Sequence, residues 1–201
     1  MAATWVQHRF SGGVLALDLA NTVVLRGDPA HSFDRLDDPT ELPCFAEAAG
    51  RFRQDELRGA MLSARGDANE KARIIEIRER TDLLFRNAVV EGDVLARDLP
   101  DFLKSCGNAL QDIPGHVRLG SPFTTARTDL SLASAAALSA LSLLPDARRV
   151  RICQNCRWLF LDRSRNGSRR WCDMAVCGNR QKARRHYQRR AGRKEGAGDE
   201  R

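Results

Sequence analysis

The sequence has no long hydrophobic run. Its purest apolar stretch, residues 132–144, is 13 residues long and includes three serines, whereas a membrane-spanning helix needs about 20 apolar residues. The first ten residues contain no basic segment leading into an apolar stretch, as a signal peptide would. We therefore expect a cytoplasmic protein that is neither exported nor bound to a membrane.

Motifs typical of common enzyme classes are also missing. The sequence contains no GxxxxGK[ST], GxGxxG, GxSxG or HExxH pattern, and its four histidines are dispersed. We therefore expect no enzyme. A site in the N-terminal half, around the polar residues of an apolar run, is the remaining enzymatic alternative.

Those polar residues are Asp18, Asn21 and Thr22, and burying them is costly unless they are hydrogen-bonded. Two interpretations are open. They form a helix cap or a buried link to a loop arginine such as Arg26 or Arg35, or they line a pocket for a small ligand.

Positive charge is concentrated in one segment. Residues 148–194 hold 16 Lys and Arg against two acids, a net charge of +14, whereas the rest of the chain holds 17 against 24, a net charge of −7. A basic segment beside an acidic body predicts a polyanionic partner. Aromatic residues make up only 6% of the chain, which is too few to indicate base stacking.

The first 146 residues have mainly helical periodicity. Residues 14–25 fit either a strand leading into a helix or a helix throughout. The remaining pattern predicts helices over 40–49, 68–91 and from Pro100 to Leu110, a small hairpin of 116–119 with 124–127, and a buried helix over 130–144 that Asp129 caps and Pro145 ends. The expected fold class is mainly α (α+β).

The cysteines are unevenly distributed. Cys153, Cys156, Cys172 and Cys177 lie within 25 residues, as a CxxC pair and a C-x4-C pair with 15 residues between them. Four thiolates at this spacing predict one structural zinc ion, because they close its coordination sphere and leave no place for a water molecule. Cys44 and Cys106 lie alone in apolar stretches, where we expect them to be buried as small hydrophobic residues.

The residues around the four cysteines predict a treble-clef zinc finger, which consists of a knuckle, a hairpin and a ligand-bearing helix. The hairpin would pair residues 157–163 with 169–172 around the turn Asn166-Gly167, with Trp158 and Phe160 on one face and Leu159 and Leu161 on the other. Asn179 would cap the helix, which extends to residue 190. So few apolar residues cannot fold alone, and metal binding must supply the folding energy.

Several of these residues resemble known families. Cys177-Gly178-Asn179-Arg180, with the segments 164–172 and 182–186, resembles the CGNR zinc finger. Gly12-Gly13 with residues 17–22 resembles the ABATE domain that accompanies this finger in bacterial proteins. The resemblance implies a stress-linked bacterial transcription regulator with a helical, ligand-binding N-terminal domain and a DNA-binding finger. The domains would span residues 1–146 and 147–190, followed by a disordered tail at 191–201.

A basic surface would then contact DNA, placing the protein at the nucleoid. On the predicted helix a narrow stripe at Ala183 and Tyr187 would touch the finger. The basic residues that we expect to contact nucleic acid are Arg165, Arg169, Arg170, Arg180, Lys182, Arg184, Arg185 and Arg189. The alternative function is an RNA-binding or protein-interaction module. The non-functional interpretation is that the basic residues form only a solvated charged face. Because one finger buries little surface, we expect a homodimer or another protein partner. The ABATE resemblance also implies a small-molecule effector.

Overall fold

The computed structural model describes residues 4–111, 113, 116–120, 124–125, 129–184 and 187–188. It is 56% helical with a few small sheets, so the mainly α (α+β) prediction is confirmed. The predicted tail, residues 191–201, lies outside the described residues. No helix in the described ranges has the length and apolar character needed to cross a membrane.

Six α-helices precede residue 149 within the described residues. They are α1 (Leu15–Ala20), α2 (Glu41–Phe52), α3 (Gln54–Leu57), α4 (Ala68–Glu91), α5 (Leu99–Leu110) and α6 (Leu132–Leu143). The predicted span of α4 is confirmed: the Asp67 side chain accepts a hydrogen bond from the Glu70 amide at its start, and Gly92 ends it with φ +85°. The open choice for residues 14–25 resolves to a helix, α1, followed by a short strand.

The strands form two-stranded sheets. β1 (Val23–Val24) pairs with β2 (Phe33–Asp34), β3 (Met61–Ser63) with β6 (Asp129–Ser131), β4 (Val117–Arg118) with β5 (Thr124–Thr125), and β7 (Val150–Ile152) with β8 (Leu159–Leu161). The β3–β6 pair is parallel and the others are antiparallel. The β4–β5 pair confirms the centre of the predicted small hairpin.

The core lies around α6, which packs against α1, α4 and α5. Its alanines and serines are small enough to let these helices approach closely. Its buried hydroxyls are satisfied, because Ser134 donates to the carbonyl of Ala109 at 2.7 Å and Ser139 donates to Glu56 at 2.5 Å. The prediction of a fully buried helix here is confirmed.

Two local predictions in the helical part of the chain were wrong. Asp129 does not cap α6, because it lies in β6 and the Ser131 side chain accepts the capping hydrogen bond from Ser134 at 3.1 Å. Cys44 is exposed on α2, whereas Cys106 is buried as predicted. Apolar neighbours in sequence do not bury a helical residue that faces away from the core.

Candidate metal centre and basic surface

A tight turn between β7 and β8 carries the first cysteine pair. The Cys153 amide donates to the carbonyl of Trp158 at 2.8 Å, and the Arg157 amide donates to the carbonyl of Cys153 at 3.0 Å. Arg157 adopts the left-handed region, with φ +65°. The strand pairing therefore bends residues 153–158 into a knuckle that brings the two thiols of the CxxC motif together.

The second pair flanks the start of a helical segment that we call the finger helix, residues 174–184: Cys172 lies two residues before it and Cys177 lies in its first turn. The segment opens with a π turn at Met174–Gly178 and continues as α-helix over 179–184. The Asp173 side chain caps it by accepting from the amides of Ala175 at 2.7 Å and Val176 at 3.2 Å. The predicted cap, Asn179, was wrong because the turn begins five residues earlier, and Asn179 instead donates to the carbonyl of Ala175.

The four sulfur atoms converge. All of them lie within 4.8 Å of one another, and Cys172 Sγ is 3.6 Å from Cys156 Sγ and 3.7 Å from Cys177 Sγ. Thiolates bound to zinc at about 2.3 Å form a tetrahedron with sulfur–sulfur edges of about 3.8 Å. The set is therefore placed to hold one metal ion and fits a structural zinc, as predicted.

Neighbouring thiols in the cluster shift one another's pKa strongly. Hydrogen bonds from Cys156 and Cys172 lower the pKa of Cys153, and the hydrogen bonds to Cys153 raise the pKa of Cys156 and of Cys172. Four thiolates at these distances repel one another unless a cation sits between them. Bound zinc would supply that charge and hold the finger in its folded form.

Polar and aromatic side chains surround the sulfurs. The Asn155 side chain donates to Cys177 Sγ at 3.4 Å and accepts from Gln181 at 3.0 Å, which ties the finger helix to the knuckle. Trp158 and Phe160 are buried with the cysteines in a small core of their own. Ala183 is exposed, so the predicted contact at this residue was wrong, and Gln181 contacts the knuckle instead.

Comparison with protein families agrees with this geometry. Residues 149–190 match the family model of the CGNR zinc finger. This segment is a CGNR zinc finger. No curated protein matches the chain significantly. The ABATE resemblance of the preceding residues stays a prediction, although this part of the chain is helical as expected.

The hairpin of the CGNR finger differs from the predicted one. Leu159–Leu161 pairs with Val150–Ile152 and not with residues 169–172, which form no strand. The two pairings close loops of nearly equal length, six residues (153–158) against seven (162–168), so loop closure does not select the partner. Packing selects it, because Leu159 and Leu161 lie in the main core together with Val150 of β7. The Asn166-Gly167 turn does form, with Gly167 at φ +58°, and the Gln154 amide binds the returning segment through the carbonyl of Arg170 at 3.1 Å.

The predicted nucleic-acid contacts fall into three groups. Arg165, Arg180, Lys182 and Arg184 are exposed and form no ion pair within the described residues. Arg169 donates to the carbonyls of Trp171 and Cys172, and Arg170 donates to the Gln154 side chain at 2.8 Å. Arg185 and Arg189 lie outside the described residues.

The residues of the predicted ligand pocket are buried and bonded to protein groups. Asn21 donates from Nδ2 to the carbonyl of Leu159 at 2.8 Å and accepts from the Leu159 amide at 2.9 Å. Thr22 donates to the carbonyl of Leu19 at 2.8 Å. A cavity of about 390 Å³ beside β3 and β6 is lined by other residues. The pocket stays a prediction, and the bonds of Asn21 attach the end of α1 to the CGNR finger.

Asp18 also supports this attachment. Arg53 donates to one carboxylate oxygen at 2.5 Å, and the Gly12 amide donates to the other at 2.8 Å. The carbonyl of Gly12 in turn accepts from the Leu161 amide of β8 at 2.8 Å. A Cβ at Gly12 would lie 2.8 Å from the Asp18 carboxylate, so this approach requires glycine. A buried arginine link was an open alternative, and its partner is Arg53 and not Arg26 or Arg35.

Sequence reasoning missed several residues that dock the CGNR finger on the helical part. His8 stacks on the Trp158 ring at 5.7 Å and pairs with Asp173 at 3.0 Å. Arg86 of α4 donates to the carbonyl of Arg157 at 3.1 Å. No motif marks these contacts, because each joins residues that are more than 70 positions apart.

Proposed function

We propose that this chain is a zinc-dependent, DNA-binding transcription regulator whose CGNR finger contacts the phosphate backbone of duplex DNA. The observation that carries the proposal is the uncompensated positive charge on the exposed side of the finger. The helical part, residues 1–146, would act as a sensor or dimerisation domain, without enzymatic activity of its own.

The charge is uncompensated because the acids of the finger face inward. Residues 149–190 contain 13 Lys and Arg but only two acids, Asp162 and Asp173. Asp162 is fully buried and accepts from the amides of Ser164 and Arg169. Asp173 caps the finger helix and pairs with His8. Neither acid therefore neutralises the exposed arginines, and this arrangement favours a polyanion as partner.

Arginines on two parts of the finger supply the contacts. Arg180, Lys182 and Arg184 are exposed on the finger helix, and Arg165 is exposed at the turn before Gly167. Arginine binds phosphate through two parallel hydrogen bonds, which positions a protein on DNA without reading its sequence. Sequence-specific binding would need the larger surface of a homodimer.

Fluorescence anisotropy with a labelled duplex tests the proposal. Log K should fall linearly with log salt, by about 0.9 for each phosphate contact. Replacing Arg180→Glu together with Arg184→Glu should weaken binding by about tenfold or more and reduce the salt slope by about 2. The matched control, Arg65→Glu with Arg97→Glu, changes the net charge equally on exposed residues of the helical part.

Three results would contradict this function. Binding that is absent at low salt excludes a DNA partner. Equal losses in the two double variants would assign binding to net charge and not to the finger helix. Complete displacement of the duplex by structured RNA at equal phosphate concentration would favour the RNA-binding alternative.

A further inference from the structure

Arg35 occupies an unusual position at the junction of the helical part and the CGNR finger. Its backbone is fixed beside β1, where its amide donates to the carbonyl of Thr22 at 3.1 Å. Its guanidinium lies 5.5 Å from the ring centre of Phe33 and 5.4 Å from that of Trp158. One aromatic ring comes from each side of the junction.

Two nitrogen donors at this junction lack an acceptor. Arg35 Nε and Trp158 Nε1 are both buried, and neither has a hydrogen-bond partner in the described structure. Trp158 as a whole is only 6% exposed. Stacking engages the faces of the guanidinium and indole groups, whereas their N–H groups lie in the ring planes and still require acceptors. A buried donor left without one is costly.

Other partly buried arginines of the chain are paired differently. Arg26 donates to Glu79 at 2.6 Å, Arg53 binds Asp18, and Arg78 pairs with Asp34 at 2.8 Å. The Arg35 side chain forms no salt bridge or hydrogen bond with any described residue. Its positive charge is therefore half-buried without a counter-charge, whereas each of these three arginines has a carboxylate partner.

A second arginine increases the local positive charge. Burial and the nearby charge of Arg9 lower the pKa of Arg35 to about 10. Arg9 lies over the ring of Trp5, and the opposite charge of Glu41 acts on it, so Arg35 and not Arg9 is the arginine without a counter-charge. Phe33, which stacks on Arg35, is 53% exposed, so the edge of the junction borders solvent although the two unpaired donors are buried.

We propose that Arg35 and Trp158 form a binding site for a phosphate group, with the positive charge of Arg9 nearby. The site offers a guanidinium group and an indole N–H, and a phosphate supplies several acceptor oxygens together with the negative charge that Arg35 lacks. The phosphate belongs either to a free phosphorylated molecule or to the backbone of DNA. The site does not rest on the proposed DNA-binding function, because a free phosphate would satisfy the same donors.

Nuclear magnetic resonance of the zinc-loaded protein tests this site. The Nε1–H resonance of Trp158, assigned by its loss in Trp158→Phe, should shift saturably when inorganic phosphate is added at constant ionic strength. Arg35→Gln should weaken this binding by about tenfold or more, because it removes the central charged donor. Arg97→Gln, an equal charge change at an exposed position, should leave the binding unchanged.

Two further measurements keep the test decisive. If Arg35→Gln loses zinc, and hence its fold, Arg9→Gln replaces it and should weaken phosphate binding by about threefold. A short duplex then separates the two sources: a Trp158 shift with duplex alone assigns a DNA phosphate, and a shift with inorganic phosphate assigns a free one. No shift with either probe, or unchanged binding in zinc-loaded Arg35→Gln, would overturn the proposal.

Discussion

At the scale of single residues, the Asn21 side chain hydrogen-bonds to the β7–β8 hairpin as a neighbouring strand would. Its side-chain amide exchanges two hydrogen bonds with the backbone of Leu159, as a neighbouring peptide group would in a sheet. Asn21 is 2% exposed, so water cannot replace these bonds. The polar residues of the apolar run, which the sequence marked as costly to bury, therefore hold the β7–β8 hairpin against α1.

Replacing Asn21→Ala should destabilise the protein by about 2 to 4 kcal/mol, because it leaves the buried amide and carbonyl of Leu159 without partners. Urea unfolding followed by circular dichroism measures this loss. The control Asn108→Ala removes a partly exposed bond to Glu76 and should cost less than about 1 kcal/mol. Equal effects of the two substitutions would contradict the docking role of Asn21.

Asp34 makes a pH-dependent contribution to the stability of the fold. Burial acts to raise the pKa of Asp34, but hydrogen bonds from Arg78 and from the Leu36 amide outweigh it, and the pKa is lowered overall. The ion pair therefore stabilises the fold above the ordinary pKa of an aspartate. The contribution is lost as the pH falls through the lowered value.

The pH series compares wild type with Asp34→Asn. The difference in their free energies of unfolding should be largest near pH 6 and should shrink as the pH falls below about 4, the unfolded-state value for aspartate. Zinc content is measured in both proteins at each pH, and only points with equal zinc content are compared. A difference that stays constant across the series would show that the Asp34–Arg78 ion pair does not make the free energy of unfolding depend on pH.

At the scale of elements, β8 joins two cores. Leu159 and Leu161 belong to the main core with the N-terminal helices, whereas Phe160 and the preceding Trp158 belong to the core of the CGNR finger. This alternation is the period of two that the sequence predicted for the strand. The finger is therefore packed on the helical part and shares a strand with its core.

Zinc removal should therefore destabilise elements outside the finger as well. Chelation should accelerate amide hydrogen exchange in β8 and in α1, which packs against β8, because metal binding supplies the folding energy of the knuckle. Helix α5, which packs on α4 and α6, should change far less. Unchanged exchange in α1 after zinc loss would show that the helical part is stable without the finger.

The same elements show how far the sequence predicted the structure. Helix α4, the buried α6 and the cysteine spacing follow from local periodicity and motif chemistry, so they were predictable. The partner of β8 was not, because both β7 and residues 169–172 had suitable composition and only the tertiary packing selects one. The contacts of His8, Arg35 and Arg86 with the finger depend on how distant segments pack, which no local pattern encodes.

At the scale of the whole molecule, the four cysteines organise the basic surface. Cys153 and Cys156 fix the hairpin that docks on α1, whereas Cys177 fixes the start of the finger helix that exposes Arg180 and Arg184. One metal ion therefore sets the position of the exposed cations relative to the helical part. Both the proposed DNA contact and the proposed phosphate site depend on this arrangement.

Zinc analysis of the purified protein tests this central claim most directly. Elemental analysis should find one zinc per chain, and X-ray absorption should find four sulfur ligands at about 2.3 Å. Cys172→Ser should lose most of the metal, whereas Cys44→Ser, which alters an exposed cysteine outside the site, should retain it. A chain without zinc, or zinc held by nitrogen and oxygen ligands, would contradict the account.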